Sequence, residues 1–228
     1  MGIDKEVGFW AKEYYDQVRN EPHGRFKSWE YCYDAFSVAR DDSHVDLDFL
    51  CLHLAFYLAS WGMYRGSSFL LQWDYRIHLG AIEEILKEKY NPLFAIECQE
   101  LLRKENRDLL EELYLFLENY YAQIRTKTKN KDLKSDLSST LITKILMGTL
   151  GCTPAYDTYF VAGVRQRQAA SGLFSIRSVS QLASYYQKHE AQFEGVRQAM
   201  ATDLLIYPQM KVLDMEFWQL GFNLTARK

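Results

Sequence analysis

The stretch LITKILMGTLGCTPAYDTYF, residues 141–160, contains the signals for one helix, a tight turn and the start of a second helix. Apolar residues recur every three or four positions over 137–149, which is the spacing of one helix face. Gly151 follows where a helix favours a left-handed terminating residue, a conformation that glycine adopts without a Cβ penalty. The Thr153-Pro154 pair is suited to cap a second helix and to occupy its first turn. These signals predict a helix-hairpin-helix-like element at about 137–166.

Apolar residues follow helical spacing along most of the remaining chain as well. A first helix is predicted over about 4–19, and FLCLHLAFYLASWGM (49–63) is apolar almost all round, as a central buried helix is. Strand-like alternation is nowhere sustained. The sequence therefore predicts an all-α fold, a single compact domain over 1–228 with roughly nine to ten helices. Two fused helical halves that meet near 126–135 are the alternative.

The composition is that of a chain with a large core, since 48% of the residues are hydrophobic and 15% are aromatic. The four cysteines form no CxxC pair and no secretion signal precedes them, which indicates reduced thiols in a cytoplasmic protein. The most apolar run is too short to span a bilayer. The chain has no HExxH, P-loop or GxGxxG motif, so we expect no metal and no cofactor. We also expect a monomer with no membrane partner.

The charges are unevenly distributed along the chain. Residues 121–180 carry a net charge of +6, whereas the rest of the chain carries −9. A basic quarter on an acidic body is typical of a protein that binds a polyanion on one face. A lysine-rich, solvated loop with unrelated arginines nearby is the alternative.

The hairpin lies inside this basic quarter and presents backbone amides at a helix N-terminus, where phosphate groups bind readily. The predicted nucleic-acid-binding residues are Lys127, Lys129, Lys131, Lys134, Gly151, Thr153, Arg165 and Arg167. Tight helix-turn-helix corners also occur simply as packing, and that interpretation stays open.

Asp157 falls in the predicted first turn of the second helix. An acid there complements the helix dipole, which contributes ~0.3–1 kcal/mol without any function. The same position suits a carboxylate that stabilises a developing sugar oxocarbenium ion or activates water. Both interpretations fit the sequence.

The segment SWGMYRGSSFLLQWDYRIH, residues 60–78, combines aromatic and polar side chains where a pocket would open beside the apolar run. Two of its aromatic rings are suited to stack a flat base, while Arg65 or Asp74 would contact the base edge. The candidate substrate-binding residues are Tyr64, Arg65, Ser67, Ser68, Trp73, Asp74 and, from the hairpin stretch, Tyr156. An aromatic core with an ion pair between Arg65 and Asp74 is the alternative.

Two stretches, residues 52–72 and 141–160, resemble the small bacterial anti-phage DNA glycosylases of the Brig family, which excise glucosylated hydroxymethylcytosine from phage genomes. That family is distantly related to the helix-hairpin-helix DNA glycosylases. The resemblance implies an all-α enzyme of antiviral defence. Such an enzyme binds double-stranded DNA carrying modified cytosine, flips the base and cleaves its N-glycosidic bond.

The chain departs from the larger superfamily at the hairpin, where Leu150–Pro154 replaces the usual proline-glycine-valine-glycine. The superfamily's catalytic aspartate lies some way beyond the hairpin, yet the next acid after Asp157 is Glu190. Asp157 is therefore the first catalytic candidate, and Lys144 on the preceding helix is the second. No lysine stands between the hairpin and Lys188, which favours a monofunctional enzyme. A non-catalytic nucleic-acid-binding module and an all-α interaction protein are the competing hypotheses.

Overall fold

The computed structural model describes residues 5–41, 44–128, 137–202 and 205–226, and within these ranges the chain forms helices and no strand. The all-α prediction is confirmed. The described residues form eleven α-helices, somewhat more than the nine or ten expected, and His189 separates two of them. The helices are α1 (Phe9–Asn20), α2 (Ser28–Asp41), α3 (Leu47–Ser60), α4 (Leu79–Ile85), α5 (Cys98–Leu101), α6 (Lys104–Thr126), α7 (Ser139–Thr149), α8 (Thr158–Arg167), α9 (Ile176–Lys188), α10 (Glu190–Met200) and α11 (Gln209–Thr225).

The central helix is α11, which is buried at every position from Gln209 to Gly221. Helices α1 and α8 pack along it. The apolar run 49–63 was expected to be the central helix, but it forms α3, which exposes Phe49, Leu52 and Phe56 to solvent. Burial of α11 on all sides was not apparent from its sequence because it carries several charged residues.

Two glycines allow α8 and α11 to approach closely. A Cβ atom on Gly163 would lie 2.0 Å from the carbonyl oxygen of Phe217, and one on Gly221 would lie 1.8 Å from that of Tyr159. Since both neighbours are backbone atoms, no side-chain movement would relieve such a contact. The close crossing fixes the N-terminal half of α8 against the core.

Helices α2, α3 and α7 pack on one another beside this pair, and α6 packs against α4 and α7. Trp29 on α2 donates its indole N–H to the carbonyl oxygen of Met147 on α7, at 3.0 Å. Buried side chains from all of these helices belong to one hydrophobic cluster. The four cysteines are free and buried, as the sequence predicted for core thiols.

The connection between α7 and α8 corrects the predicted hairpin. Gly151 has a φ of +65° and its N–H donates to Leu146 O at 3.1 Å, so it ends α7 in the expected left-handed conformation. Thr153 does not cap the next helix, and Pro154 does not begin it, because the chain stays non-helical through eight residues. Asp157 is the N-cap of α8. The predicted first-turn acid is thus the capping residue itself.

Candidate active site

A cavity of about 400 Å³ opens where the end of α3, helix α7, the start of α8 and helix α11 meet. Its walls combine charged, hydroxyl-bearing and aromatic side chains with a short stretch of loop. The lining residues are Arg25, Ser60, Trp61, Gly62, Met63, Arg65, Ser138, Thr140, Lys144, Asp157, Thr158, Tyr159 and Trp218. Both catalytic candidates from the sequence, Asp157 and Lys144, are therefore in one cavity.

Lys144 lies near the middle of α7, where a lysine is usually solvated, yet its side chain is only 4% exposed. Its Nζ donates to the carbonyl oxygen of Trp61 at 2.9 Å and lies 3.4 Å from Asp157 Oδ2. Burial lowers the pKa of Lys144, and the negative charge of Asp157 opposes that shift. The amine is thus held by two acceptors at the cavity wall.

Asp157 uses its two carboxylate oxygens for different contacts. Oδ1 accepts the backbone N–H groups of Tyr159 and Phe160, both at 3.1 Å, and so caps α8. Oδ2 faces Lys144, and the side chain as a whole is 15% exposed. These contacts hold the carboxylate in one orientation at the cavity wall.

The backbone just before Asp157 is anchored to two helices. The N–H of Ala155 donates to Asp214 Oδ1 on α11 at 3.1 Å. The N–H of Tyr156 donates to Thr143 Oγ1 at 3.0 Å, and Tyr156 O accepts from Thr140 Oγ1 at 2.8 Å, both on α7. These bonds replace regular helical hydrogen bonds in the non-helical connection, so they fix where the α8 cap sits.

A second ion pair lies in the core next to the cavity wall. Lys211 Nζ lies 2.9 Å from Asp214 Oδ2, and the two side chains are 1% and 2% exposed. The ammonium lies 5.1, 4.9 and 5.6 Å from the ring centroids of Tyr14, Trp29 and Trp61. Burial raises the pKa of Asp214, and Lys211 opposes that shift. The sequence interpretation did not single out this pair, although its i, i+3 spacing on one helix was visible.

Three aromatic rings form the apolar part of the cavity wall: Trp61, Tyr159 and Trp218. Trp61 and Trp218 meet edge to face, with centroids 5.6 Å apart. Trp218 is itself stacked on Phe222 at 5.3 Å. Rings fixed in this way offer a preformed apolar surface for a flat heterocycle.

A second cavity of about 250 Å³ adjoins the first and shares Gly62, Met63, Arg65 and Ser138 with it. Three of the predicted substrate-binding residues lie here. Arg65 lines both cavities, while Ser67 and Ser68 line the second. Ser68 also caps the short 3₁₀ helix Phe69–Gln72.

The other four predicted substrate-binding residues line neither cavity. The Tyr64 hydroxyl lies 2.8 Å from Nε2 of buried His78, and the Trp73 indole donates to Thr128 Oγ1 at 2.9 Å. Asp74 caps the 3₁₀ helix Tyr75–His78 by accepting the Arg76 N–H, and the alternative of an ion pair with Arg65 is not observed. Tyr156 is buried, and its hydroxyl donates to Ser178 Oγ at 2.9 Å. Trp61, Tyr159 and Trp218 line the cavity in place of the predicted rings.

The predicted phosphate-binding residues fall into three groups. Gly151 and Thr153 are buried, so the hairpin amides do not face solvent as expected. Lys127 and Arg165 are exposed, whereas Arg167 donates to the backbone oxygen of Lys5. The remaining predicted residues, Lys129, Lys131 and Lys134, lie outside the described residues.

Comparison with protein-family models, with curated proteins and with solved structures finds no match to this chain. Among the described residues, no helix combines the length and apolar character that crossing a bilayer requires. The same part of the chain contains no group of three or more His, Cys, Asp or Glu side chains suited to hold a metal ion. The residues around the two cavities are therefore the basis for a functional proposal.

Proposed function

We propose that this protein is a DNA N-glycosylase that accepts a flipped base in the larger cavity and hydrolyses its bond to the sugar. The observation that carries the proposal is the Asp157–Lys144 pair at the wall of a cavity lined by aromatic rings. A flipped base needs flat apolar surface and polar groups for its edge, and both are present. A positively charged sugar intermediate needs a nearby anion, which Asp157 supplies.

The reaction needs one water molecule and no redox partner. The C1′–N bond breaks with its electron pair going to the base, which takes up a proton as it leaves. The oxygen of water bonds to C1′ of the sugar and loses a proton, for which Asp157 is the acceptor. Lys144 keeps the Asp157 carboxylate in place through the 3.4 Å contact. The products are a free base and an abasic site.

The substrate that we propose is cytosine carrying a bulky substituent in duplex DNA. The second cavity adjoins the first and shares Arg65 and Ser138 with it, so it gives room for a substituent beside the base. Its three serines, Ser67, Ser68 and Ser138, suit a substituent that carries hydroxyl groups. The resemblance of residues 52–72 and 141–160 to glycosylases that excise glucosylated hydroxymethylcytosine supports the same substrate and a role in phage defence.

The test is base release from matched duplexes that contain cytosine, hydroxymethylcytosine or glucosylated hydroxymethylcytosine at one position. Alkali cleaves the strand at any abasic site, and mass spectrometry identifies the released base. We expect release from the glucosylated duplex alone. Binding that weakens steeply with salt, without release from any duplex, would instead establish a non-catalytic module. Absence of binding even at low salt would favour an interaction protein.

A further inference from the structure

We propose that buried Asp214 is a positioning residue for Asp157, acting through the backbone of Ala155. This inference rests on the proposed function for its catalytic consequence. Its structural part concerns only where the Asp157 carboxylate is held, and that part is measurable without any activity.

The path from Asp214 to Asp157 consists of two short hydrogen bonds. Asp214 Oδ1 accepts the N–H of Ala155 at 3.1 Å, and the carbonyl oxygen of Ala155 accepts the N–H of Asp157 at 2.8 Å. The other Asp214 oxygen, Oδ2, is taken by Lys211 at 2.9 Å. Both oxygens of Asp214 are therefore engaged, and the carboxylate has no freedom to turn away from Ala155.

An ion pair in this position is not explained by stability alone. Lys211 and Asp214 are almost completely buried, and a buried pair generally stabilises a fold no better than apolar side chains of similar size. Apolar residues here would leave the Ala155 N–H without an acceptor in the core. The pair is explained if its task is to hold the segment before the α8 cap in one position.

The consequence for catalysis is preorganisation. A displacement of about 1 Å at a reacting group is enough to cost about a hundredfold in rate. The connection before Asp157 is non-helical, so its position depends on side-chain acceptors from α7 and α11. Asp214 is the acceptor that α11 provides, and Thr143 is the one that α7 provides for Tyr156.

The test compares Asp214→Ala with Asp214→Asn and with a matched control on the same helix. Glu216 is equally buried on α11 and also accepts a backbone N–H, that of Ala11 at 2.9 Å, but it serves α1 rather than the cavity. We expect Asp214→Ala to lower kcat for base release at least about tenfold with KM little changed. Asp214→Asn keeps an acceptor oxygen and should recover most of that loss, whereas Glu216→Ala should leave kcat unchanged.

A measurement that does not depend on activity separates the positioning role of Asp214 from the proposed glycosylase function. Asp157 accepts the N–H groups of Tyr159 and Phe160, so their hydrogen exchange reports whether the carboxylate is in place. We expect exchange at both amides to be at least about tenfold faster in Asp214→Ala than in Glu216→Ala.

If Asp214→Ala does not fold, Thr143→Val removes the second anchor and should give the same result. Equal exchange and equal kcat in the Asp214 or Thr143 variant and the Glu216 control would overturn the inference. Faster exchange in a protein that releases no base would support positioning and refute the glycosylase.

Discussion

Lys144 Nζ and Asp157 Oδ2 lie 3.4 Å apart at the wall of the larger cavity, and the same aspartate caps α8 through Oδ1. The sequence left two roles open for Asp157, a helix cap and a functional carboxylate. The structure gives the two oxygens different partners, so the capping role does not occupy the oxygen that faces Lys144. The two roles are compatible.

The first prediction concerns the charge of Asp157. Asp157→Asn keeps the oxygen that caps α8 but removes the negative charge, so we expect abasic-site formation to fall by about 10²–10³-fold. The free energy of unfolding should fall by more than the ~1 kcal/mol of a helix-terminus charge effect, because buried Lys144 also loses its anionic partner. Single-turnover base release and urea unfolding measure the two quantities.

A cap elsewhere in the fold provides the control. Ser175 caps α9 by accepting the Ser178 N–H at 3.1 Å and lines neither cavity. Ser175→Ala should cost about 1 kcal/mol of stability and leave base release intact. Full activity of Asp157→Asn would show that the assignment of Asp157 as the catalytic residue is wrong.

The second prediction concerns Lys144. Lys144→Met removes the partner of Asp157 and leaves Trp61 O without its donor, so both stability and base release should fall, the former by about 1–3 kcal/mol. Lys104→Met provides the comparison, because Lys104 is an exposed helical lysine that pairs with Asp108 on the surface of α6. That variant should behave like the wild type. Because the enzyme is proposed to be monofunctional, borohydride should trap no covalent DNA adduct, and an adduct lost in Lys144→Met would establish a lyase instead.

Residues 141–160 show which helix ends can be predicted from the sequence and which cannot. Local rules located the end of α7, since the need for a left-handed residue at Gly151 depends only on the backbone there. The same rules placed the start of α8 too early, because Thr153 is suited to cap a helix as Asp157 is, and Pro154 is suited to the first turn. The choice among them depends on contacts with Asp214 and Thr143, which are distant in sequence.

The third prediction tests the close crossing of α8 and α11. Gly163→Ala places a Cβ atom 2.0 Å from Phe217 O in the current backbone positions, so the helices would have to separate. We expect a loss of about 3 kcal/mol or more in the free energy of unfolding, at the upper end for overpacked sites. Gly195→Ala on α10 has open space around its Cβ and should instead stabilise the protein by about 0.5–1 kcal/mol. Similar unfolding midpoints for the two variants would contradict the crossing geometry.

Three of the substrate-binding candidates line the second cavity. Arg65, Ser67 and Ser68 do so because the chain turns after α3, a turn signalled by the glycines around them. Of the aromatic residues that the sequence indicated, Tyr64 and Trp73 bond to His78 and Thr128 and line neither cavity. Which rings face a cavity depends on how helices that are distant in sequence pack together. The spacing of aromatic residues along the sequence does not show that packing.

The fourth prediction concerns pH. His78 is fully buried between the hydroxyls of Tyr64 and Tyr121, at 2.8 and 2.6 Å, and burial lowers its pKa to about 3. The unfolded chain takes up a proton on this histidine near the ordinary pKa of about 6.5, whereas the folded protein does not. The contribution of neutral His78 to the free energy of unfolding is therefore fully present above that pH. It is lost progressively as the pH falls from about 6.5 towards 3. His78→Gln should therefore be less stable than the wild type at pH 7, with a gap that narrows on acidification. Urea unfolding of both proteins from pH 7 to 4 measures the gap, and a constant gap would refute the prediction.

The fifth prediction concerns the approach of DNA to the site. Arg65 is exposed and lines both cavities, so its guanidinium is placed to contact a phosphate beside a flipped nucleotide. Arg65→Gln should weaken duplex binding and reduce the slope of log affinity against log salt by about 0.9, the value for one lost phosphate contact. Arg103→Gln is the matched change, because Arg103 is exposed but pairs with Glu100 away from both cavities. Fluorescence anisotropy over a series of KCl concentrations gives both slopes. Equal slopes for the two variants would mean that DNA does not contact the protein at Arg65, and the entrance to the site would have to lie elsewhere.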